Sequence, residues 1–155
     1  MKVSQYILRQ NVLTDLDVTD REEAIRRAVE ALAEVGSVPA KSARTVVKGI
    51  LEREAIGSTG LGRGIAIPHV KTRVVDTPVV AYVKLPAPID YGATDGSPVH
   101  SLFLVISPFK AAEQHVAILR WVSRIARSEY YAKILANTSD ADSLHDLFSE
   151  IDEQS

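Results

Sequence analysis

Residue types that can do chemistry crowd the segment that begins at Arg53 and ends at His69. Residues 59–70 read TGLGRGIAIPHV, with Gly60, Gly62 and Gly64 at every second position before a short apolar run, a proline and a histidine. Glycines so spaced let backbone come close to a ligand or to another chain segment, and they let several N–H groups point into one concavity. Two uses fit that pattern, an anion cradle and a plain structural turn. The Lys-Ser or Lys-Thr of a Walker loop is missing, and the spacing is not Gly-x-Gly-x-x-Gly, so a nucleotide-binding motif is excluded. Pro68 has no N–H and a fixed φ, so it is expected to end the preceding strand and to present His69 beyond the sheet edge with little freedom. A stiffly held imidazole suits a nucleophile; it equally suits a packed histidine whose nitrogens are satisfied.

Four further positions bear on the same chemistry. Arg53 falls in the last turn of a helix at the border of its apolar face, where a cation is favoured by the helix end and where a guanidinium can also grip phosphoryl oxygens in a two-pronged contact. Ser58 and Thr59 are either turn residues or hydroxyl donors to the same anion. Arg63 adds positive charge within the glycine run, as a solvated loop cation or as a contact for an anion. His115 opens an apolar helical stripe near the positive end of the helix dipole, a place that keeps the ring neutral and welcomes a phosphate, or simply a boundary histidine bonded to a carbonyl. The remaining histidines, His100 and His145, lie in no motif and are read as structural or surface residues. No histidine pair has the spacing of a metal site, so neither a metal nor another cofactor is expected.

The elements that must hold these groups are legible from periodicity and punctuation. Thr19-Asp-Arg-Glu22 has capping-box spacing, and Ala24, Ile25, Ala28, Val29 and Leu32 recur at helical period until Gly36. A second helix is predicted from about Pro39 to Ala55, with Val46, Val47, Ile50 and Leu51 on one face. Residues 65–67, 78–85 and 99–107 are short, rich in Val, Ile and Leu, and bounded by breakers, which predicts buried strands; residues 90–96 read as a loop. From about Ala111 helical spacing returns through His115, Ile118, Leu119, Val122, Ile125 and Ala126, followed by two short helices near 128–135 and 139–151. Helices, then strands, then helices predict an α/β (α+β) fold: one three-layer domain over residues 1–155, with a small mixed sheet between helices.

Composition narrows the function classes. The chain has 155 residues, no cysteine and a formal net charge of -2, so disulfides, thiolate nucleophiles and thiolate metal sites are excluded and no broad basic surface exists for nucleic acid. No apolar run approaches the roughly 20 residues that span a bilayer, and the N-terminal sequence lacks the pattern of a signal peptide. A cytoplasmic protein without direct membrane insertion is expected.

GSTGLGRGIAIPH, residues 57–69, resembles the active-site signature of the type 2 enzyme IIA domains of the bacterial phosphoenolpyruvate-dependent phosphotransferase system, the fructose, mannitol and nitrogen-related group. EQHVAIL, residues 113–119, is similar to the second motif of that family, and DGSPV at 95–99 and Ser107-Pro108 extend the likeness over nearly the whole chain. The resemblance implies that His69 is the phosphorylated histidine, taking its phosphoryl group from the carrier HPr and passing it to an enzyme IIB. It further implies that His115 is the second active-site histidine and that Arg53 stands by the phosphate. Backbone N–H groups near Gly60, Gly62, Arg63 and Gly64, with the Ser58 or Thr59 hydroxyls, are the expected remaining donors to the equatorial oxygens. A neutral imidazole with a pKa of ~6.5 is already mostly nucleophilic at neutral pH. Two departures stand out: Val70 where the family often has glycine, and Arg63 where it often has asparagine. Two roles follow, a regulator of the nitrogen type whose phosphorylation changes how it binds a target, and a sugar-uptake component that feeds a IIB; a scaffold that has lost the chemistry is a third. The absence of IIB and membrane IIC segments from the chain leans toward the regulator.

Overall fold

The computed structural model describes residues 2–154. Short 3-10 turns at Val3–Tyr6 and Arg9–Asn11 lead into β1 (Val12–Leu13), then α1 (Arg21–Glu34) and α2 (Ala43–Ile56). Strands β2 (Gly60–Gly62), β3 (Ile65–Ala66), β4 (His69–Thr72), β5 (Val79–Ile89) and β6 (Val99–Pro108) follow, and the chain closes with α3 (Ala112–Arg127), α4 (Glu129–Asn137) and α5 (Ala141–Glu153). The three-layer arrangement expected from the element order is the one found.

Sheet order is β1-β5-β6-β3-β2, with β4 also on β6. The long β5 and β6 pair antiparallel, while β1, β3 and β4 join parallel, so the sheet is mixed. Alternation along the two central strands sorts the core into two halves. Ala81, Val83, Leu102, Leu104 and Ile106 face α1 and α2, together with Val46 and Ile50. Val80, Tyr82, Phe103 and Val105 face α3 to α5, where Tyr82, Phe103, Trp121 and Phe148 meet in edge-on and tilted ring contacts. Lys84, in the middle of β5, is buried, and its ammonium donates to the carbonyls of Leu135, Ala136 and Thr138, closing the end of α4.

Helix ends follow the local chemistry, with one correction. The capping box uses Asp20 and Glu23 rather than Thr19 and Glu22: the Asp20 carboxylate accepts from the Glu23 N–H at 2.8 Å, and the Glu23 carboxylate accepts from the Thr19 N–H at 2.8 Å. Gly36, at φ 80, ends α1 in a Schellman turn, with Ser37 N–H on Leu32 O and Gly36 N–H on Ala33 O. Pro39 begins a 3-10 turn at Ala40–Ser42, and α2 proper starts behind it. Among the described residues no helix is long and apolar enough to cross a membrane.

One contact between layers sets the distance from α2 to the site. A Cβ built on Gly49, in the middle of α2, would stand 2.7 Å from Val70 Cγ2 on β4. The glycine therefore makes room for the valine that follows His69. Gly49→Ala gains up to ~1 kcal/mol of helix propensity but forces overpacking that costs roughly 1–3 kcal/mol. A lowered urea midpoint is expected, restored when Val70→Ala is added.

Candidate functional site

β3 and β4 are one strand with a gap. Ile65 and Ala66 pair with Ser101 and Leu102, and His69 to Thr72 pair with Val105 to Pro108 in unbroken register. The gap holds Ile67, whose N–H donates to Thr59 O at 3.0 Å, and Pro68, whose carbonyl accepts from Val105 N–H at 3.0 Å. Pro68 thus interrupts the strand instead of ending it, and His69 sits within a strand rather than beyond the sheet. The missing N–H of Pro68 falls where the chain leaves the ladder, which is why proline is tolerated there. Register then decides direction: His69 lies beside Val105, on the α3 side, and Val70 beside Ile106, on the α2 side.

The His69 ring is half-buried, and its Nδ1 lies 2.7 Å from Ile67 O. A carbonyl only accepts, so Nδ1 carries the hydrogen and the lone pair is on Nε2. Burial holds the pKa of His69 below the ordinary imidazole value; the Ile67 carbonyl opposes that, the Arg53 charge adds to it and the Glu54 carboxylate opposes it. The neutral form therefore prevails at neutral pH.

His115 stands in the first turns of α3, 5% exposed, its ring centroid 5.6 Å from that of His69 with the planes inclined at 55°. Its Nδ1 is 2.7 Å from the hydroxyl of buried Ser107, at the end of β6. Because a hydroxyl both donates and accepts, Ser107 supports either tautomer, including the one that turns an Nε2–H outward. The N-terminus of α3, which follows a 3-10 turn at Phe109–Ala111, has no side-chain cap, so the positive end of its dipole lies on the side of His115. Burial, then the neighbouring His69 and Lys71, lower the His115 pKa to about 4.

That depression fixes a pH dependence of stability. Above pH 6.5 the ring is neutral in both folded and unfolded chains. As pH falls the unfolded chain binds the proton first, so stability drops from about pH 6.5 until the folded ring titrates near 4. Between pH 7.5 and 5 the loss from His115 comes to about 2 kcal/mol. Urea unfolding at both pH values, wild type against His115→Gln, is expected to show a smaller pH difference in the variant by that amount; equal differences would contradict the assignment.

On the other side of His69, the end of α2 supplies two neighbouring charges that diverge. Arg53 turns outward, donating from Nη1 to Gly57 O at 2.9 Å. Glu54 turns inward and is 4% exposed, accepting from Thr59 N–H at 3.1 Å, from the Thr59 hydroxyl and from Tyr91 O–H at 2.9 Å. The Thr59 hydroxyl is thereby committed to Glu54. Ser58 remains half-buried, its Oγ accepting from Gly60 N–H at 3.1 Å, so its own hydrogen is available to a ligand. At Gly60 a Cβ would come within 2.8 Å of the Ala93 backbone, so this glycine serves a close approach between loops.

The rest of the glycine run lies elsewhere. Gly62, Arg63 and Gly64 all have positive φ and form the tip of the β2–β3 hairpin, level with His100 and Ser101. Val105, the partner of His69, is four strand positions further along, about 13 Å away at ordinary strand rise. The expected cradle of Gly62, Arg63 and Gly64 around His69 is thus not assembled: the Arg63 N–H goes to Asp95 at 3.1 Å, and Gly64 accommodates the His100 ring, whose carbons a Cβ there would overlap. His100 bonds Ser101 Oγ at 2.7 Å, and His145 is half-buried on α5. Sequence reasoning missed Glu54, Ser107, Tyr91, Lys71 and the Ile67 carbonyl. Only Ser107 carried a signal, its place in the Ser107-Pro108 pair.

Comparison with known proteins joins this geometry to a lineage. A family profile described as "Phosphoenolpyruvate-dependent sugar phosphotransferase system, EIIA 2" matches residues 5–151. The nitrogen regulatory protein of Pseudomonas aeruginosa is 32% identical over 128 residues, 81% of this chain and 83% of that protein. The fructose-specific EIIABC component of the phosphotransferase system of Bacillus subtilis is 29% identical over 98% of this chain, which spans 24% of it. The crystal structure of the nitrogen regulatory protein IIA-Ntr from Neisseria meningitidis superposes with a TM-score of 0.83 at 23% identity, covering 94% of this chain and 98% of that one.

Proposed function

We propose, from the premise that this chain belongs to the phosphoenolpyruvate-dependent sugar phosphotransferase system EIIA 2 family, that it is a phosphohistidine carrier whose acceptor atom is Nε2 of His69. The observation that carries the reading is the 2.7 Å contact from Nδ1 to the Ile67 carbonyl, which leaves one nucleophilic nitrogen free and fixes the ring. In the transfer, the bond from phosphorus to the donor's histidine nitrogen breaks as the bond to His69 Nε2 forms, and the electron pair returns to the donor ring. His69 keeps its Nδ1 hydrogen on Ile67 O, which steadies the positive charge the ring acquires. No general base is needed, because the attacking lone pair is unprotonated. Onward transfer reverses these roles, with His69 as the leaving group.

Around the phosphoryl oxygens the donors are His115, the uncapped N–H groups of α3, Arg53 and the Ser58 hydroxyl. Arg53 reaches the group with the nitrogens that Gly57 O does not use. An HPr-like phosphocarrier is the donor. The next recipient distinguishes two roles, and we favour the nitrogen-type regulator, whose phosphorylation state changes its binding to a target, because the regulatory relative is matched over 83% of its length. Delivery to an enzyme IIB for a fructose- or mannitol-like sugar is the second reading, favoured by the fructose-specific relative that matches 98% of this chain.

Incubation with phosphoenolpyruvate, enzyme I and HPr, followed by intact mass and acid treatment, is expected to show one acid-labile phosphoryl group; no uptake would end the reading. Transfer from the labelled protein to an enzyme IIB separates the two roles.

A further inference from the structure

Among the described residues Glu54 is the buried carboxylate, it acts on His69, and the phosphoryl transfer leaves it without a task. Its oxygens accept from the Thr59 N–H, the Thr59 hydroxyl and Tyr91 O–H, and the Arg21 guanidinium lies 3.9 Å away. These partners bind to one another as well: Thr59 Oγ1 and Tyr91 OH are 3.2 Å apart, and Arg21 lies over the Tyr91 ring at 5.6 Å while donating to Tyr91 O at 3.2 Å. Four segments therefore meet on one carboxylate: the start of α1, the end of α2, the turn at residues 57–60 and the 90–96 loop.

We propose that Glu54 is a positioning residue for transfer at His69, its carboxylate clamping the turn at residues 57–60 from inside so that Arg53 and Ser58 are held beside the nucleophile. The proposal rests on the phosphocarrier reading. Geometry makes the link direct. Arg53 grips Gly57 O from the outer side of the helix end and Glu54 grips Thr59 from the inner side, so the two charges hold the same short turn between them. Thr59 in turn passes its carbonyl to the N–H of Ile67, whose own carbonyl holds the His69 ring. A continuous line of hydrogen bonds runs from Glu54 through Thr59 and Ile67 to Nδ1 of His69.

A space-filling role alone does not require charge. A well-packed apolar residue at a buried ionic position is often as stable or more so, because desolvation offsets the attraction. The carboxylate does what an apolar residue cannot: it accepts from Thr59 twice, and its field reaches His69, opposing the depression of that ring's pKa. The other charge acting on His69 is Arg53 from α2; His115 on α3 faces the ring as a neutral imidazole, and Lys71, further along β4, acts on His115.

The test uses the full chain with Glu54→Gln, Glu54→Asp and Thr59→Val, reading the folding midpoint, the His69 imidazole titration by NMR, and single-turnover phosphoryl uptake against phosphorylated HPr concentration. Expected for folded Glu54→Gln is a lower His69 pKa and a maximal uptake rate reduced about 10- to 100-fold, the cost of a displaced reacting geometry, at unchanged half-saturation by carrier. Glu54→Asp keeps the charge and is expected to retain the His69 titration with part of the rate. Thr59→Val keeps the carboxylate and the backbone bonds but removes the hydroxyl's grip on Glu54, loosening the clamp on the turn, so it is expected to slow uptake with His69 titrating close to wild type; it reads the proposal should Glu54→Gln not fold. A folded Glu54→Gln with wild-type titration and wild-type rate overturns the proposal, as does a Thr59→Val variant with undiminished rate, or a Glu54→Gln rate loss no larger than its loss of folded protein. Wild-type uptake is the control for the carrier reading: if the wild type takes up no phosphoryl group that reading fails, whereas normal wild-type uptake with indifferent variants removes Glu54 alone.

Discussion

His69→Ala is expected to take up no acid-labile phosphoryl group under conditions that label the wild type fully, a loss of at least about 10³-fold, the scale on which removal of a nucleophile usually falls. No other ring replaces it. His115 is 5% exposed and its Nδ1 is occupied by Ser107, so an incoming carrier does not meet it first. His100 is turned into the hairpin tip against Gly64, five strand positions from Val105 and so about 16 Å along the strand, and His145 sits on α5. Because the ring is half-buried on an edge strand, its truncation removes little core, and the variant should unfold at nearly the wild-type urea concentration. Intact mass after the full phosphorelay checks uptake, and denaturation checks the fold. Equal labelling of the variant and the wild type would remove His69 from the mechanism. The pH profile adds a second mark. Since the folded ring has a pKa below 6.5, only the neutral form attacks, so uptake should be flat above neutrality and should fall as acid protonates His69.

Local rules made α1, α4 and α5 legible because they carry their own end signals: Asp20 and Glu23 at one end of α1, Gly36 at the other, Ser128 before α4 and Asp140 before α5, whereas α2 and α3 have no capping side chain and show only in their apolar spacing. The long strands β5 and β6 were equally visible, since burial on both faces leaves continuous apolar runs. Three short strands were not. β1 has two residues and β2 three, and they exist only because β5 and β3 offer partners, which no periodicity records. β4 was hidden for a different reason. Proline signals a strand end, yet the hydrogen bonds of Ile67 to Thr59 and of the Pro68 carbonyl to Val105 carry the chain across the gap and back into register.

At the site, residue type was readable and direction was not. Arg53 and Glu54 are adjacent charges near a helix end, and nothing in their order says that one turns out to Gly57 while the other is buried with Tyr91, 37 residues further along the chain. Glycine spacing suggested one cradle; the structure divides the labour, with Gly60 serving a close approach to Ala93 and Gly62 to Gly64 serving a hairpin tip. The two departures in the first motif divide likewise. Val70 is matched by Gly49, a position on another element with no sequence signal, and Arg63 belongs to the hairpin near His100 instead of the phosphate.

His115→Ala is the second large effect. The variant should still accept a phosphoryl group on His69, but onward transfer should slow by roughly 10²-fold, the usual consequence of removing one charge-stabilising donor from a reacting centre. With ring centroids 5.6 Å apart, His115 packs against His69, a placement that suits it to meet oxygens carried on His69 Nε2. Its pKa of about 4 means that it is neutral before the group arrives, which avoids a charge beside the imidazole that must attack. Once two negative charges are delivered, the same ring is drawn toward protonation, since an opposite charge within a few ångströms favours the charged form. The neutral state thus suits acceptance, and the donor state suits holding and release. Ser107 makes the change possible, because its hydroxyl can reverse direction on Nδ1 as the ring gains or loses a proton. Rapid-quench transfer from preloaded protein to an enzyme IIB, wild type against His115→Ala, measures the step. A full transfer rate in the variant would take His115 out of the site and leave the α3 N-terminus and Arg53 as the groups that steady the phosphate.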